Sequence, residues 1–257
     1  MAIDFAIKDH IATITLNRPE RLNALDEQHY QALSDAWIEV RDNPDIRVAI
    51  VTGAGDRAFC VGADIKSYSP ASRGWADLWL TQRQPLLNRG LEVWKPIISA
   101  VHGYCLGGGL TLMLATDIRI ATPDAKFGLS EVKRGIVAAN GGTQRIAQQL
   151  PYPIAMEMLL GGGTMDADRA AHFGLVNKVV PREDLMAEAQ RYAENIAANA
   201  PLAVQASKEL AVRSRDVDTA TGLRLEQMVA RTLRQTEDAQ EGRLAFIEKR
   251  QPKFTGQ

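Results

Sequence analysis

The chain has 257 residues, 46% of them hydrophobic, enough to bury a sizeable core in one large domain or one domain with a helical appendage. Its 30 basic and 31 acidic side chains nearly cancel, so no basic face is implied and nucleic acid is excluded as the expected partner, although a local cluster can still bind a phosphate. The two cysteines, Cys60 and Cys105, stand apart without a CxxC partner, which excludes a disulfide framework and a zinc site.

The opening MAIDFAIKDHIATITL carries Asp4 and Asp9 and has no unbroken apolar stretch, so no signal peptide is expected. No later run approaches the ~18 apolar residues of a membrane span, and the expectation is a soluble, cytoplasmic protein. Residues 11–16 alternate as a half-buried strand that Asn17-Arg18-Pro19 breaks, because proline cannot donate to a ladder. Asp26 caps a helix with the apolar stripe Tyr30, Leu33, Trp37 and Val40. Residues 46–52 read as a buried strand, almost continuously apolar, ended by Gly53-Ala54-Gly55.

A Pro/Ser/Gly-rich stretch over 67–74 leads to a Trp-bearing segment with Trp75 and Trp79. Residues 96–101 form the next strand, and Gly107-Gly108-Gly109 opens a helix over 110–115. Ile118 and Ile120 mark another strand, followed by a loop to Gly128-Leu129-Ser130-Glu131 and a helix over 144–150. Asp166 starts a short helix closed by Gly174, and 175–180 is the final strand. Beyond it the period is helical: Leu185, Ala189, Tyr192 and Ile196 share one face, and Pro201 begins another helix at its first turn. The expected architecture is an N-terminal α/β core with an all-helical tail.

Three motifs carry chemistry. Gly53-Ala54-Gly55-Asp56-Arg57-Ala58 follows a strand in the pattern of a dinucleotide fingerprint. That reading fails because 59–64 is not amphipathic and no strand ending in an acid follows at the required distance. Cys105 near His102 offers a nucleophile pair, but its apolar neighbours favour a buried structural thiol. The glycine run at 107–109 exposes unsatisfied N–H groups at a helix start, suited to an anion or a developing oxyanion, or else to a tight packing turn.

The ordered words of the sequence make the choice more specific. They are Leu16-Asn17-Arg18-Pro19 with Asn23-Ala24-Leu25, Ala58-Phe59-Cys60-Val61-Gly62-Ala63-Asp64-Ile65, His102-Gly103-Tyr104-Cys105-Leu106-Gly107-Gly108-Gly109, Phe127-Gly128-Leu129-Ser130-Glu131 and Gly141-Gly142-Thr143-Gln144-Arg145, with the tail word at 245–250. Over nearly its whole length the chain resembles the crotonase superfamily of enoyl-CoA hydratases and isomerases.

The resemblance implies an α/β crotonase (ClpP-like) spiral of ββα units over 1–195 and a C-terminal helical trimerisation region over 196–257. It implies an oxyanion hole made by the backbone N–H groups of Ala63 and Gly108, with Glu131 as acid/base. It also implies coenzyme A contacts at Arg21, Ala24, Ala63, Asp64, Ile65, Lys66 and Lys249, the last reaching a neighbouring subunit's ligand. The segment 68–84, with its two tryptophans, is expected to shape the acyl pocket.

Classical hydratases of this superfamily hold water between two glutamates twenty positions apart. Here one is Glu131 and the other position is Thr111, whose hydroxyl hydrogen-bonds but does not store a proton. The expected function is an enoyl-CoA hydratase-type lyase with Thr111 as a secondary polar contact. Its rivals are a Δ3-Δ2 enoyl-CoA isomerase using Glu131 alone and a non-catalytic CoA-ester- or RNA-binding relative. The resemblance implies an acyl-CoA substrate, no cofactor beyond the coenzyme A of that substrate, no metal, and a homotrimer or homohexamer without nucleic acid or membrane partners.

Overall fold

Strand pairing begins earlier than the alternation at Ile11 suggests. β1 (Ile3–Lys8) and β2 (Ile11–Leu16) form an antiparallel hairpin turned by Asp9 and His10, both at positive φ as a tight two-residue turn requires. β1 is an edge strand with one buried residue, Ile3, so it shows almost no alternation to read. The computed structural model describes residues 2–65 and 85–257.

Asp26 caps α1 (Glu27–Asp42) by accepting the His29 N–H, and Leu33, Trp37 and Val40 are buried as expected. The large sheet has the order β1-β2-β3-β5-β7-β10, with β3 (Val48–Gly53), β5 (Ile97–Val101), β7 (Ile118–Ala121) and β10 (Lys178–Val179) parallel to β2. The last strand is shorter than its apolar run, because the Leu175 and Val176 N–H groups close the preceding helix on the Ala170 carbonyl.

β3 is buried throughout because both sheet faces are covered. Ala49 and Val51 point into the main core, while Val48 and Ile50 meet a second core under α6 (Leu185–Ala197). That helix turns Leu185, Ala189, Ala193 and Ala197 to the sheet, one residue per turn, with Tyr192 and Ile196 at its margin.

A second sheet of short strands, order β4-β6-β8-β9, positions the site. It contains β4 (Ala58–Cys60), β6 (Tyr104–Leu106), β8 (Lys126–Gly128) and β9 (Thr164–Asp166), the first three parallel and β9 antiparallel. The chain alternates between sheets: β3 then β4, β5 then β6, β7 then β8. After the last two pairs comes a helix, α2 (Gly108–Leu114) and α3 (Gly142–Gln149) respectively. These are the turns of the expected ββα spiral. The remaining core helices are α4 (Tyr152–Gly161) and α5 (Ala167–His172), the latter capped by Asp166.

The tail comprises α7 (Pro201–Arg213), α8 (Thr219–Leu233) and α9 (Glu237–Glu248). Arg47, just before β3, donates to the Ala197 and Phe254 carbonyls, and Lys208 pairs with Asp117 at 2.7 Å, so the tail is pinned to the core at several points. α7 and α8 bury no residue completely. Among the described residues no helix is long and apolar enough to cross a membrane.

Candidate active site

Three parallel strands of the small sheet end side by side, and each leads to one functional group. β4 continues through Val61 and Gly62 to Ala63, β6 runs into Gly107 and Gly108, and β8 leads through Leu129 and Ser130 to Glu131. The carboxyl ends of parallel strands are where such folds assemble binding sites.

Gly62 (φ +87°) and Gly107 (φ +52°) adopt backbone conformations that side chains disfavour. A Cβ on Gly62 would lie 2.5 Å from the Gly108 nitrogen, and one on Gly108 would lie 3.1 Å from the Gly62 Cα and 3.5 Å from the Ala63 nitrogen. The peptides carrying the Ala63 and Gly108 N–H groups are therefore in contact. Neither N–H donates to another group among the described residues.

The flanking amides are committed. Leu25 donates to Gly62 O at 2.8 Å, Asp64 donates to Leu25 O at 2.9 Å, and the Cys60 Sγ accepts the Gly62 N–H at 3.3 Å. Gly107 in turn donates to Gly128 O at 2.9 Å. A pair of fixed, unused donors beside each other suits a carbonyl oxygen that gains negative charge.

Glu131 opens the 3-10 turn Glu131–Arg134. Its Oε1 lies 3.3 Å from where a Gly107 Cβ would stand, and its Oε2 is buried without a hydrogen-bond partner among the described residues. Burial raises its carboxyl above the ordinary value, with its own backbone N–H and the nearby Arg134 charge partly opposing the rise. A carboxyl with an unsatisfied oxygen and a raised proton affinity is equipped to move a proton.

Thr111 lies one helical turn beyond Gly108 and is buried. Its hydroxyl donates to the Gly108 carbonyl at 3.0 Å and accepts from Asn88 Nδ2 at 3.0 Å. Its methyl faces Gly142, where a Cβ would come within 2.9 Å. Asn88 had no motif to mark it. It sits in the turn Leu87–Arg89, and Arg145 of the Gly-Gly-Thr-Gln-Arg word donates to the Asn88 and Leu87 carbonyls.

The coenzyme A residues implied by the resemblance divide into groups. Arg21 is exposed on the turn Pro19–Arg21, and Ala24 and Asp64 are tied to each other through Arg18, whose Nη1 donates to the Ala24 carbonyl at 3.3 Å and to the Asp64 carboxylate at 2.9 Å. Ile65 is exposed beside them. Lys66 and the segment 68–84, with Trp75 and Trp79, lie outside the described residues. Lys249 caps the far end of α9 and makes no hydrogen bond or ion pair with the other site residues described.

Two other motifs resolve as structural. Gly53 and Gly55 are followed by β4 where a dinucleotide site needs a helix. Cys105 is fully buried, with its thiol pushed well above its ordinary value by burial, and burial likewise lowers the His102 imidazole to about 4.

Known proteins resemble this chain in sequence and in fold. A family model described as enoyl-CoA hydratase/isomerase matches residues 6–257. The chain is 44% identical to the (E)-benzylidenesuccinyl-CoA hydratase of Thauera aromatica over the whole of both chains. It is 37% identical to the carnitinyl-CoA dehydratase of Proteus mirabilis (strain HI4320), covering 99% of this chain and 98% of that one. Among solved structures, the enoyl-CoA hydratase of Bacillus anthracis superposes with a TM-score of 0.91 at 34% identity, covering all of both chains. Fold and relatives together make the chain a member of the enoyl-CoA hydratase/isomerase family, with the crotonase fold.

Proposed function

We propose that the chain is an enoyl-CoA hydratase-type lyase in which Ala63 and Gly108 stabilise a thioester oxyanion and Glu131 is the acid/base. The observation that carries this reading is the buried, unpartnered Oε2 of Glu131 next to two unused backbone donors. With the thioester carbonyl accepting both N–H groups, electron density drawn onto its oxygen leaves the β-carbon open to water and the α-carbon ready for a proton. Glu131 takes a proton from the water and returns one to the α-carbon. Hydratase and dehydratase names among the relatives support the same chemistry.

Arg21, Ala24, Asp64, Ile65 and Lys66 are assigned to the coenzyme A portion of the substrate. The relative from Thauera aromatica makes (E)-benzylidenesuccinyl-CoA a first substrate to test beside crotonyl-CoA. The expected result is loss of the conjugated enone absorbance as water adds.

One observation favours a second reading. With Thr111 in place of a second carboxylate, a single Glu131 can shuttle one proton between carbons, as a Δ3-Δ2 isomerase does. Conversion of a 3-enoyl-CoA without any hydration of the 2-enoyl ester would establish the isomerase and sink the lyase.

For assembly, residues 196–257 are assigned to oligomerisation, as a homotrimer or a dimer of trimers. Leu223, Met228, Phe246 and Ile247 are all more than half exposed on the tail, a large apolar surface for a chain in water. In such an assembly Lys249 reaches the ligand of a neighbouring subunit. Light scattering should give three or six times the mass of the chain, and a monomer would contradict the assignment.

A further inference from the structure

We propose that Asn88 holds the reacting water, its side-chain oxygen accepting one hydrogen while Glu131 takes the other; the inference rests on the hydratase reading above. Asn88 is only 6% exposed and is fixed at both ends. Its Nδ2 donates to Thr111 Oγ1 at 3.0 Å, and its backbone carbonyl accepts from Arg145 Nη1 at 3.2 Å. Its Oδ1 is nevertheless buried with no hydrogen-bond partner among the described residues. Buried side-chain oxygens in folded proteins are nearly always hydrogen-bonded, so a firmly held acceptor left open fits a donor that arrives with the reactants.

Glu131 Oε2 is likewise buried without a hydrogen-bond partner among the described residues. A short chain of contacts connects the two residues: Asn88 Nδ2 donates to Thr111, Thr111 donates to the Gly108 carbonyl, and a Cβ on the adjoining Gly107 would stand 3.3 Å from Glu131 Oε1. One water has two hydrogens to give, one for each open acceptor. The Thr111 hydroxyl hydrogen is already committed to Gly108, so Thr111 orients Asn88 while Asn88 takes the water's hydrogen.

The chemistry balances without a second base. One O–H bond of water breaks, its proton passes to the Glu131 carboxylate, and the oxygen bonds to the β-carbon, giving the enolate. Glu131 then gives a proton to the α-carbon and is a carboxylate again. The second hydrogen never leaves oxygen and becomes the hydrogen of the β-hydroxyl. A neutral amide oxygen is sufficient to orient it, which accounts for a site with one carboxylate.

The test separates water addition from α-proton chemistry. Exchange of solvent deuterium into the α-carbon of a saturated acyl-CoA needs the oxyanion hole and Glu131 but no oriented nucleophilic water. Asn88→Ala is expected to lower hydration kcat by about 10- to 100-fold while leaving KM and α-exchange within about threefold of wild type. Asn88→Leu keeps most of the volume but has no acceptor, and should show the same selective loss of hydration; it carries the test if the alanine variant does not fold. Unchanged hydration in Asn88→Ala overturns the inference. So does a parallel loss of exchange and hydration in either variant, which would mark Asn88 as merely structural. A wild-type enzyme that isomerises 3-enoyl esters and adds no water would instead defeat the hydratase reading itself.

Discussion

The site has two halves built by different means. The half proposed as the oxyanion hole consists of backbone: Ala63 and Gly108 present N–H groups whose positions are set by Gly62, Gly107 and the ladder of the small sheet. The half proposed to carry the chemistry consists of side chains: Glu131 as the proton carrier, and Thr111 at the position of the second carboxylate with Asn88 bonded to it. A backbone donor cannot be exchanged without rebuilding two strand ends, whereas a side chain changes with one substitution and leaves the fold intact. On the proposed function, the binding of an activated thioester is thus fixed by the fold, and the reaction performed on it is set by a few replaceable groups.

The sharpest way to separate the halves is Glu131→Gln. Losing the proton carrier should lower hydration by about 100- to 10,000-fold while substrate affinity, read from titration of bound CoA ester, stays near wild type. Unchanged turnover would remove the acid/base assignment.

Gly62→Ala attacks the other half, placing a methyl against the Gly108 nitrogen at a positive φ. We expect about 100- to 1000-fold lower turnover from disruption of one donor, together with a lower melting temperature from strain. Full activity would show that the two amides are not the hole.

A pH series reads the environment of Glu131. Its folded-state proton affinity is raised above the ordinary 4.5, so the base is lost on acidification at a pH above that value. The acid limb of kcat/KM for hydration should therefore have its midpoint above 4.5. Stability has the matching sign: the stabilising contribution of the buried carboxyl is full below 4.5 and is lost as pH rises through the raised folded value. Glu131→Gln should thus melt higher than wild type near neutrality, with the difference vanishing below 4.5. A constant difference across pH would contradict this.

The smallest expected effect is that of Thr111→Val. The hydroxyl handles no proton, so hydration should fall by less than about tenfold, through looser placement of Asn88. A loss as large as that of Glu131→Gln would make Thr111 a direct participant.

Much of this was legible from residues alone. Asp26 as a cap, the Leu33-Trp37-Val40 stripe and the apolar run of β3 follow from local periodicity, and the structure contains each of them. The strands that carry the site were not legible by pattern, because β4, β6 and β8 are three residues long and show no period. Their ends were nevertheless marked by Gly62 and Gly107, which a backbone at positive φ and in close contact requires. Asn88 left no trace, since its role depends on a contact with Thr111, 23 positions away in the chain. The partial burial of Glu131 is likewise a property of packing that sequence spacing does not encode.

The expectation is that the backbone half works independently of the side-chain half. It is tested most directly by the infrared spectrum of an enoyl-CoA bound to the Glu131→Gln variant. The thioester carbonyl stretch should move to lower frequency than in free solution, although the variant barely turns over. A carbonyl stretch unchanged from that of the free ester would contradict the account.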